Sequence, residues 1–262
     1  MEYTDIIYTK QEGVATMTLN RPEAMNAFGA KMRDSIARAV DDASKDNEVR
    51  VLVITGTGRA FCTGADVKDM AEEVNTGRRG EEAARRFQFP LPRLLWKFSK
   101  PTIAAVNGVA VGGGLDLALA CDVRIASDKA RFAQVFIRRG LIPVTGGTYF
   151  LPRLVGLDRA LLLTWTGDMV DAKEAERIGM VTMVVPHDEL ETTTRELAEK
   201  LAKGPPLAIQ RAKRAIYEGL ATDLDTAVNL AYSLSQELWE SEDHKEGTRA
   251  FVEKREPKFR GK

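Results

Sequence analysis

An α/β core followed by a helical tail is the fold class this chain predicts, on three observations. In the first two-thirds, short apolar runs rich in β-branched residues alternate with segments whose apolar residues recur at helical spacing. From His187 onward only amphipathic helical patterns remain. Finally, four pieces beginning at Val51, Thr102, Val123 and Met180 each pair a β-branched run with a following glycine or aspartate. That loose recurrence is what a superhelix with a repeated turn would leave in a sequence.

The elements follow in order. Ile6 to Thr9 and Val14 to Leu19 are expected as strands opening a hairpin through Glu12-Gly13, with a turn at Asn20-Arg21-Pro22-Glu23. Ala30 to Ser44 carries Met32, Ile36, Ala37 and Val40 on one helical face. Arg50 to Thr55 predicts a buried strand, then a glycine-punctuated loop (Gly56 to Asp66) and a helix over Asp66–Glu73. Asn75 to Gly80 is polar and expected to be mobile, and Glu81 to Phe98 is helical but interrupted by Pro90 and Pro92 before Lys100-Pro101 ends it. Strands are expected at Thr102–Val106, Asp122–Ala126, Phe132–Val135 and Met180–Val185. Helices are expected at Thr148–Val155, Leu157–Thr166, Asp171–Ile178, Glu189–Ala202, Pro206–Gly219, Asp223–Glu240 and Glu246–Lys254. Trp96, Trp165 and Trp239 lie on apolar helix faces and are expected in the core.

Composition narrows the function. The 262 residues suit one large domain or one with an appendage, and 44% hydrophobic content is enough for a sizeable core. Lys plus Arg number 38 and Asp plus Glu 38, so no net charge draws the chain to nucleic acid or to an anionic membrane. Cys62 and Cys121 sit in apolar contexts without metal-ligand spacing and are expected as free thiols in a reducing compartment. Met1 to Asp5 lacks a basic and then apolar leader, and no apolar run is long enough to span a membrane, so a cytoplasmic location is expected.

The sharpest chemical signal is Val106-Asn107-Gly108-Val109-Ala110-Val111-Gly112-Gly113-Gly114-Leu115-Asp116, where an apolar strand turns through three glycines into a short helix. Helix-opening amides lack intrahelical partners and sit at the positive end of the dipole, so they suit an oxygen that carries or develops negative charge. The same residues would also serve as a tight turn in which a helix crowds its own strand, with Asp116 at the helix N-terminus. A dinucleotide fingerprint is excluded because Gly112-Gly113-Gly114-Leu115-Asp116-Leu117 lacks its last glycine. No phosphate-loop lysine follows a glycine run, and no nucleophile-elbow serine is present. With only His187 and His244 available, a multi-histidine metal site or a histidine triad is not expected. Backbone amides and carboxylates remain.

Four stretches, in order and nearly end to end, resemble the crotonase family, also called the enoyl-CoA hydratase/isomerase superfamily. They are Leu19 to Ala27, Arg59 to Met70, Lys100 to Asp122, and Ala250 to Arg255. The resemblance implies a core of repeated ββα turns in two near-perpendicular sheets, here residues 1–200. It implies a helical region, residues 201–262, that builds trimers, often paired into hexamers. It implies a coenzyme A thioester as ligand, with no separate cofactor, the amides of Ala65 and Gly113 gripping the thioester carbonyl, and Asp66 and Gly112 beside them among the substrate-binding residues. Phe251 and Lys254 match positions that reach the nucleotide end of CoA, often from a neighbouring subunit; an ordinary helix end would look the same.

The sequence departs from that pattern at the acid/base positions. Asp116 falls where hydratases carry their first glutamate, and Phe136 stands where they carry the second. Val144 occupies the position at which isomerases and dehalogenases use an aspartate. The run Gly140 to Gly147, followed by Leu151 to Gly156, looks most like ring-opening isomerases of phenylacetate-derived CoA esters, without their aspartate. A dienoyl-CoA isomerase-like reading would also place an aspartate at Asp116 but carboxylates at the other two positions. Asp69, Glu72, Glu73, Arg138, Arg139 and Tyr149 are the candidates to replace the missing groups. The leading expectation is an enoyl-CoA hydratase or isomerase that stabilises a thioester enolate, with Asp116 moving the proton or orienting a water and Phe136 and Val144 making an apolar far wall. Thioester hydrolysis or decarboxylation is the alternative chemistry, and non-catalytic acyl-CoA binding the alternative class.

Overall fold

The computed structural model describes residues 3–66 and 91–262. The expected helix beyond Asp66, the polar stretch at Asn75–Gly80, the start of the Glu81–Phe98 helix, and the candidates Asp69, Glu72 and Glu73 lie outside the described residues.

Strand β1 (Ile6–Gln11) pairs antiparallel with β2 (Val14–Leu19), in the hairpin expected from Glu12-Gly13. Helix α1 (Ala30–Lys45) then buries Met32, Ile36, Ala39, Val40 and Ala43. After it, strands arrive in pairs: β3 (Val51–Gly56) with β4 (Ala60–Cys62), β5 (Thr102–Val106) with β6 (Val109–Val111), and β7 (Val123–Ser127) with β8 (Arg131–Ala133). The first strand of each pair joins a six-stranded sheet of order β1-β2-β3-β5-β7-β10, and the second joins a four-stranded sheet of order β4-β6-β8-β9. The short strands β9 (Val170–Asp171) and β10 (Met183–Val185) complete the two sheets. A helix follows the second pair and another stands before β5: α2 (Leu91–Lys97) and α3 (Gly113–Leu119). The four recurring pieces of sequence are therefore the four strands β3, β5, β7 and β10, all in the large sheet, and the repeat is a ββα superhelical turn.

Parallel strands in the middle of the large sheet are buried on both faces, which is why they read as continuous apolar runs instead of alternating ones. Leu52, Ile54, Ala104, Val106 and Ala126 face the main core. Val51, Val53, Ile103, Ala105 and Ile125 face the other way, where Leu190, Ala198 and Ala202 of α7 (Leu190–Lys203) cover them. Between β8 and α7 lie α4 (Gly147–Val155), α5 (Leu157–Thr166) and α6 (Ala172–Arg177). The tail is α8 (Pro206–Gly219), α9 (Leu224–Trp239) and α10 (Glu242–Glu253). Helix α7 runs to Lys203, three residues past the expected division at residue 200.

Several expectations need correction. Strand β8 ends at Ala133, and Val135–Arg139 is a 3₁₀ helix, because Gln134 leaves the extended region to turn the chain toward the second glycine loop. Strand β10 starts at Met183, and the last helix starts at Glu242 behind a Ser241 cap. Strands β4 and β6, three residues each, were not expected. Trp165 and Trp239 are 65% and 67% exposed and are not core residues, while Trp96 packs against the core as expected. Their helices carry an apolar stripe that this chain alone does not cover.

The tail is tied to the core through Asp122. Its carboxylate accepts from the Thr102 amide (2.7 Å), Lys213 Nζ (2.7 Å) and the Tyr217 hydroxyl (2.6 Å), while the Tyr217 ring meets Trp96 edge-on at 4.2 Å. Lys213 and Asp122 keep only 11% and 18% of their side-chain exposure. Removing one partner of such a pair strands a desolvated charge, so Asp122→Ala is expected to cost about 3 kcal/mol, against about 1 kcal/mol for Tyr217→Phe. Urea unfolding of both variants checks this; equal midpoints for Asp122→Ala and wild type would show that the tail is held by other contacts.

Candidate active site

The first glycine loop leaves β4 as Thr63-Gly64-Ala65-Asp66. It is set by the Leu19–Ala27 stretch beneath it. Fully buried Asn26 accepts from the Arg21 amide (2.9 Å) and donates to the carbonyls of Thr57 (2.9 Å) and Ala60 (2.8 Å). Arg21 donates to the Ala27 carbonyl and pairs with Asp66 at 3.4 Å. Phe28 donates its amide to the Gly64 carbonyl at 2.7 Å and bridges to Ala65. The loop is thus an arm braced from below, with Asp66 serving as an anchor for Arg21.

The second loop leaves β6 at Gly112, whose positive φ of 54° turns the chain into α3. A Cβ on Gly114 would fall 2.1 Å from the Cys62 carbonyl oxygen, so the triple glycine is what lets α3 lie on β4. The two loops meet at one point: a Cβ on Gly64 would lie 2.7 Å from the Gly113 nitrogen. The Gly113 amide, at the start of α3 where no preceding helical carbonyl can take it, is therefore within one peptide unit of the Ala65 amide.

Asp116 lies behind this point with no exposed surface. Its Oδ1 accepts from Gln134 Nε2 at 2.7 Å and its Oδ2 from Thr145 Oγ1 at 2.5 Å. The backbone amides of Thr145 and Gly147 also point to the carboxylate. Glycine is required at 147 because a Cβ there would come 2.4 Å from Asp116 Oδ1. Burial pushes the carboxyl up to about 6, and the four donors pull it only part of the way back. A carboxyl balanced between its two forms near neutral pH can both take and return a proton. Gln134 Oε1 has no partner among the described residues, so its amide is oriented by Asp116.

The remaining candidates divide. Half-buried Phe136 stands on the 3₁₀ helix, its ring 3.7 Å from where a Cβ on Gly112 would be. Val144, on the same loop as Thr145, is 47% exposed. Arg138 and Arg139 are exposed, and Arg138 Nε lies by Gly167 at the end of α5. The Tyr149 ring is packed edge-on to Trp96 at 5.2 Å and under Arg153, away from acid/base work. Phe251 (86% exposed) and Lys254 lie at the end of α10, where Phe251 borders a cavity lined only by tail residues such as Leu207 and Trp239. His187 and His244 are exposed, and both cysteines are buried free thiols. No group of three potential metal ligands occurs among the described residues, and none of their helices is long and apolar enough to cross a membrane. Gln134 and Thr145 were missed as site residues. Each lies beside a position singled out in the sequence, Phe136 or Val144, which is the signal that could have found them.

Comparison with known proteins agrees with the geometry. The family model described as enoyl-CoA hydratase/isomerase matches residues 9–262. A probable enoyl-CoA hydratase of Rhodobacter capsulatus is 42% identical over the full length of both chains. The 1,2-epoxyphenylacetyl-CoA isomerase of Escherichia coli is 40% identical, covering 96% of this chain and 97% of its own. Among solved structures, the enoyl-CoA hydratase of Bacillus anthracis superposes with a TM-score of 0.94 at 34% identity, covering 99% of this chain and all of its own. The ββα superhelix, the paired glycine loops and full-length matches of this strength lead to one conclusion: the chain belongs to the enoyl-CoA hydratase/isomerase family, the crotonase superfamily.

Proposed function

We propose that this enzyme acts on an enoyl-CoA thioester, with the amides of Ala65 and Gly113 holding the thioester oxygen and Asp116 carrying the proton, and that double-bond isomerisation is favoured over hydration. The observation that carries this reading is that, among the described residues, one buried carboxylate lies by the two abutting glycine loops, with Phe136 and Val144 where further carboxylates would stand. A proton leaves the α-carbon of a β,γ-unsaturated thioester, and its electron pair passes to the carbonyl oxygen between the two amides. The same carboxyl returns the proton at the γ-carbon, so the double bond moves into conjugation. One acid/base group suffices for that shuttle, whereas adding water across a double bond calls for a second. Each amide of such a hole is worth about 10²–10³ in rate. Coenzyme A enters as part of the substrate and no separate cofactor takes part. Phe251 on α10 and Lys254 at its C-terminal cap serve the nucleotide end of CoA.

The assembly proposed is a homotrimer or a pair of trimers. Support comes from the exposed apolar residues Ile216 on α8, Leu220 just past it, Leu224, Val228, Tyr232 and Trp239 on α9, and Leu162 and Trp165 on α5. A lone chain rarely leaves so many large apolar residues to water. Sedimentation is expected to give a mass of three or six chains, and Val228→Glu to lower it; a monomeric wild-type protein would remove the assembly from the proposal.

Isomerisation of 3-enoyl-CoA esters, followed by the rise of conjugated absorbance, is the direct test. Asp116→Asn is expected to slow it by about 10²–10⁴, and unchanged turnover in that variant would strip Asp116 of its role. Faster hydration of 2-enoyl-CoA than isomerisation would reverse the preference stated here. Because abstraction needs the ionised carboxylate and burial holds this one near 6, the rate of the free enzyme is expected to rise with pH through about 6 and then level off. A profile flat from pH 5 to about 8 would point to a different base.

A further inference from the structure

We infer that the Thr145 hydroxyl, and not the Asp116 carboxyl, is the group that meets the reacting carbon, so that Asp116 exchanges its proton with the substrate through Thr145. The inference rests on the acyl-CoA reading above and gives that site a catalytic contact the sequence pattern did not single out.

Asp116 is fully enclosed, and its two oxygens face different ways. Oδ1 is backed by the Gln134 amide at 2.7 Å and by the backbone of Gly147, where there is no room even for a Cβ. Oδ2 has the Thr145 hydroxyl at 2.5 Å. Thr145 itself is only half-buried. Its Oγ1 lies 3.5 Å from the point where a Cβ on Gly113 would sit, beside the ring of Phe28 at 3.4 Å from the same point. The hydroxyl therefore stands between the enclosed carboxylate and the glycine whose amide forms half of the carbonyl site. Direct contact between Asp116 and a substrate carbon would require that hydroxyl to leave; contact through it requires no movement.

A hydroxyl can accept one proton while giving up another, and the bonds balance. The carbon–hydrogen bond breaks and a new O–H bond forms at Thr145. The original Thr145 O–H bond breaks as an O–H bond forms at Asp116 Oδ2. The electron pair left on carbon moves to the thioester oxygen, and Thr145 ends as it began. The return delivery at the γ-carbon runs the same chain backwards. Gln134 is a positioning residue here: it holds Oδ1 so that Oδ2 faces the hydroxyl.

The test compares Thr145→Val, which keeps the shape and removes the hydroxyl, with Thr145→Ser, which keeps the hydroxyl. Two readouts are used: deuterium exchange at the α-carbon of butyryl-CoA in heavy water, followed by NMR, and isomerisation of 3-hexenoyl-CoA. Thr145→Val is expected to lower both rates by about 10² or more, with KM within about threefold of wild type and an unchanged unfolding midpoint. Thr145→Ser is expected to remain within about tenfold of wild type, as a surviving relay group should. If the valine variant does not fold, Thr145→Ala takes its place with the same expectation. Exchange near the wild-type rate in Thr145→Val, alongside a dead Asp116→Asn, would overturn the relay and leave the acyl-CoA reading standing. No exchange by the wild-type enzyme would overturn both.

Discussion

The structure depends on the contact of two stretches of bare backbone. Gly64 lies against the Gly113 nitrogen, and Gly114 against the Cys62 carbonyl, at separations that leave no space for a side chain. That contact sets the spacing between β4 and β6, which pair in parallel with a register shift between Ala60 and Cys62. It also forces α3 to start where it does. Any residue with a Cβ at these points would push the loops apart and, on the proposed reading, separate the two amides that address one oxygen. Electrostatic stabilisation of this kind relies on donors fixed in advance, and here they are fixed by the packing of main chain on main chain, the least compliant packing available. The bracing from Asn26 and Arg21 belongs to the same constraint, since the first loop would otherwise be held at one end only.

The buried carboxylate follows from that arrangement. Asp116 sits one turn into α3, so placing the Gly113 amide also places Asp116 inside the protein. An enclosed charge with no partner would be costly, and the second glycine loop answers this with a ring of donors: Gln134, the Thr145 hydroxyl, and the amides of Thr145 and Gly147. Burial still dominates, and the group is left near 6. The balance is informative. More donors would have fixed the group as a permanent anion suited to structure, and fewer would have left it neutral. The same donors explain the glycine at 147, which lets a loop 29 residues away from Asp116 in sequence close over it.

Much of this was legible in the sequence, for physical reasons that differ by element. Helix α1 and the buried strands β3, β5 and β7 are long enough for their period to show. Strands β4 and β6 have three residues each, too few for any period, and close approach of Gly56, Gly108 and Gly114 to the β4 backbone sets them instead. The misplacement of Trp165 and Trp239 has a different origin. An amphipathic stripe states that a face is to be covered, not whether the cover comes from the same chain. At the site, Ala65, Gly113 and Asp116 stand in glycine motifs that announce backbone chemistry. Gln134 and Thr145 reach Asp116 across 18 and 29 residues, and no local pattern encodes such contacts.

The absence of carboxylates at Phe136 and Val144 can be weighed against the one that remains. A two-carboxylate site divides the work between an acid and a base whose environments push them apart. A single carboxyl must do both in turn, and it can do so only if neither form is strongly preferred. The enclosure of Asp116 supplies that condition, because desolvation raises the ionised form relative to the neutral one. The apolar ring of Phe136, beside Gly112, then has a use of its own. On the proposed reading, a phenylalanine at position 136 organises no water, and the Asp116 carboxyl gives back the proton that it removed. Retaining and returning that proton is the isomerisation proposed above, and the phenylalanine at 136 and the raised proton affinity of Asp116 both favour that reading.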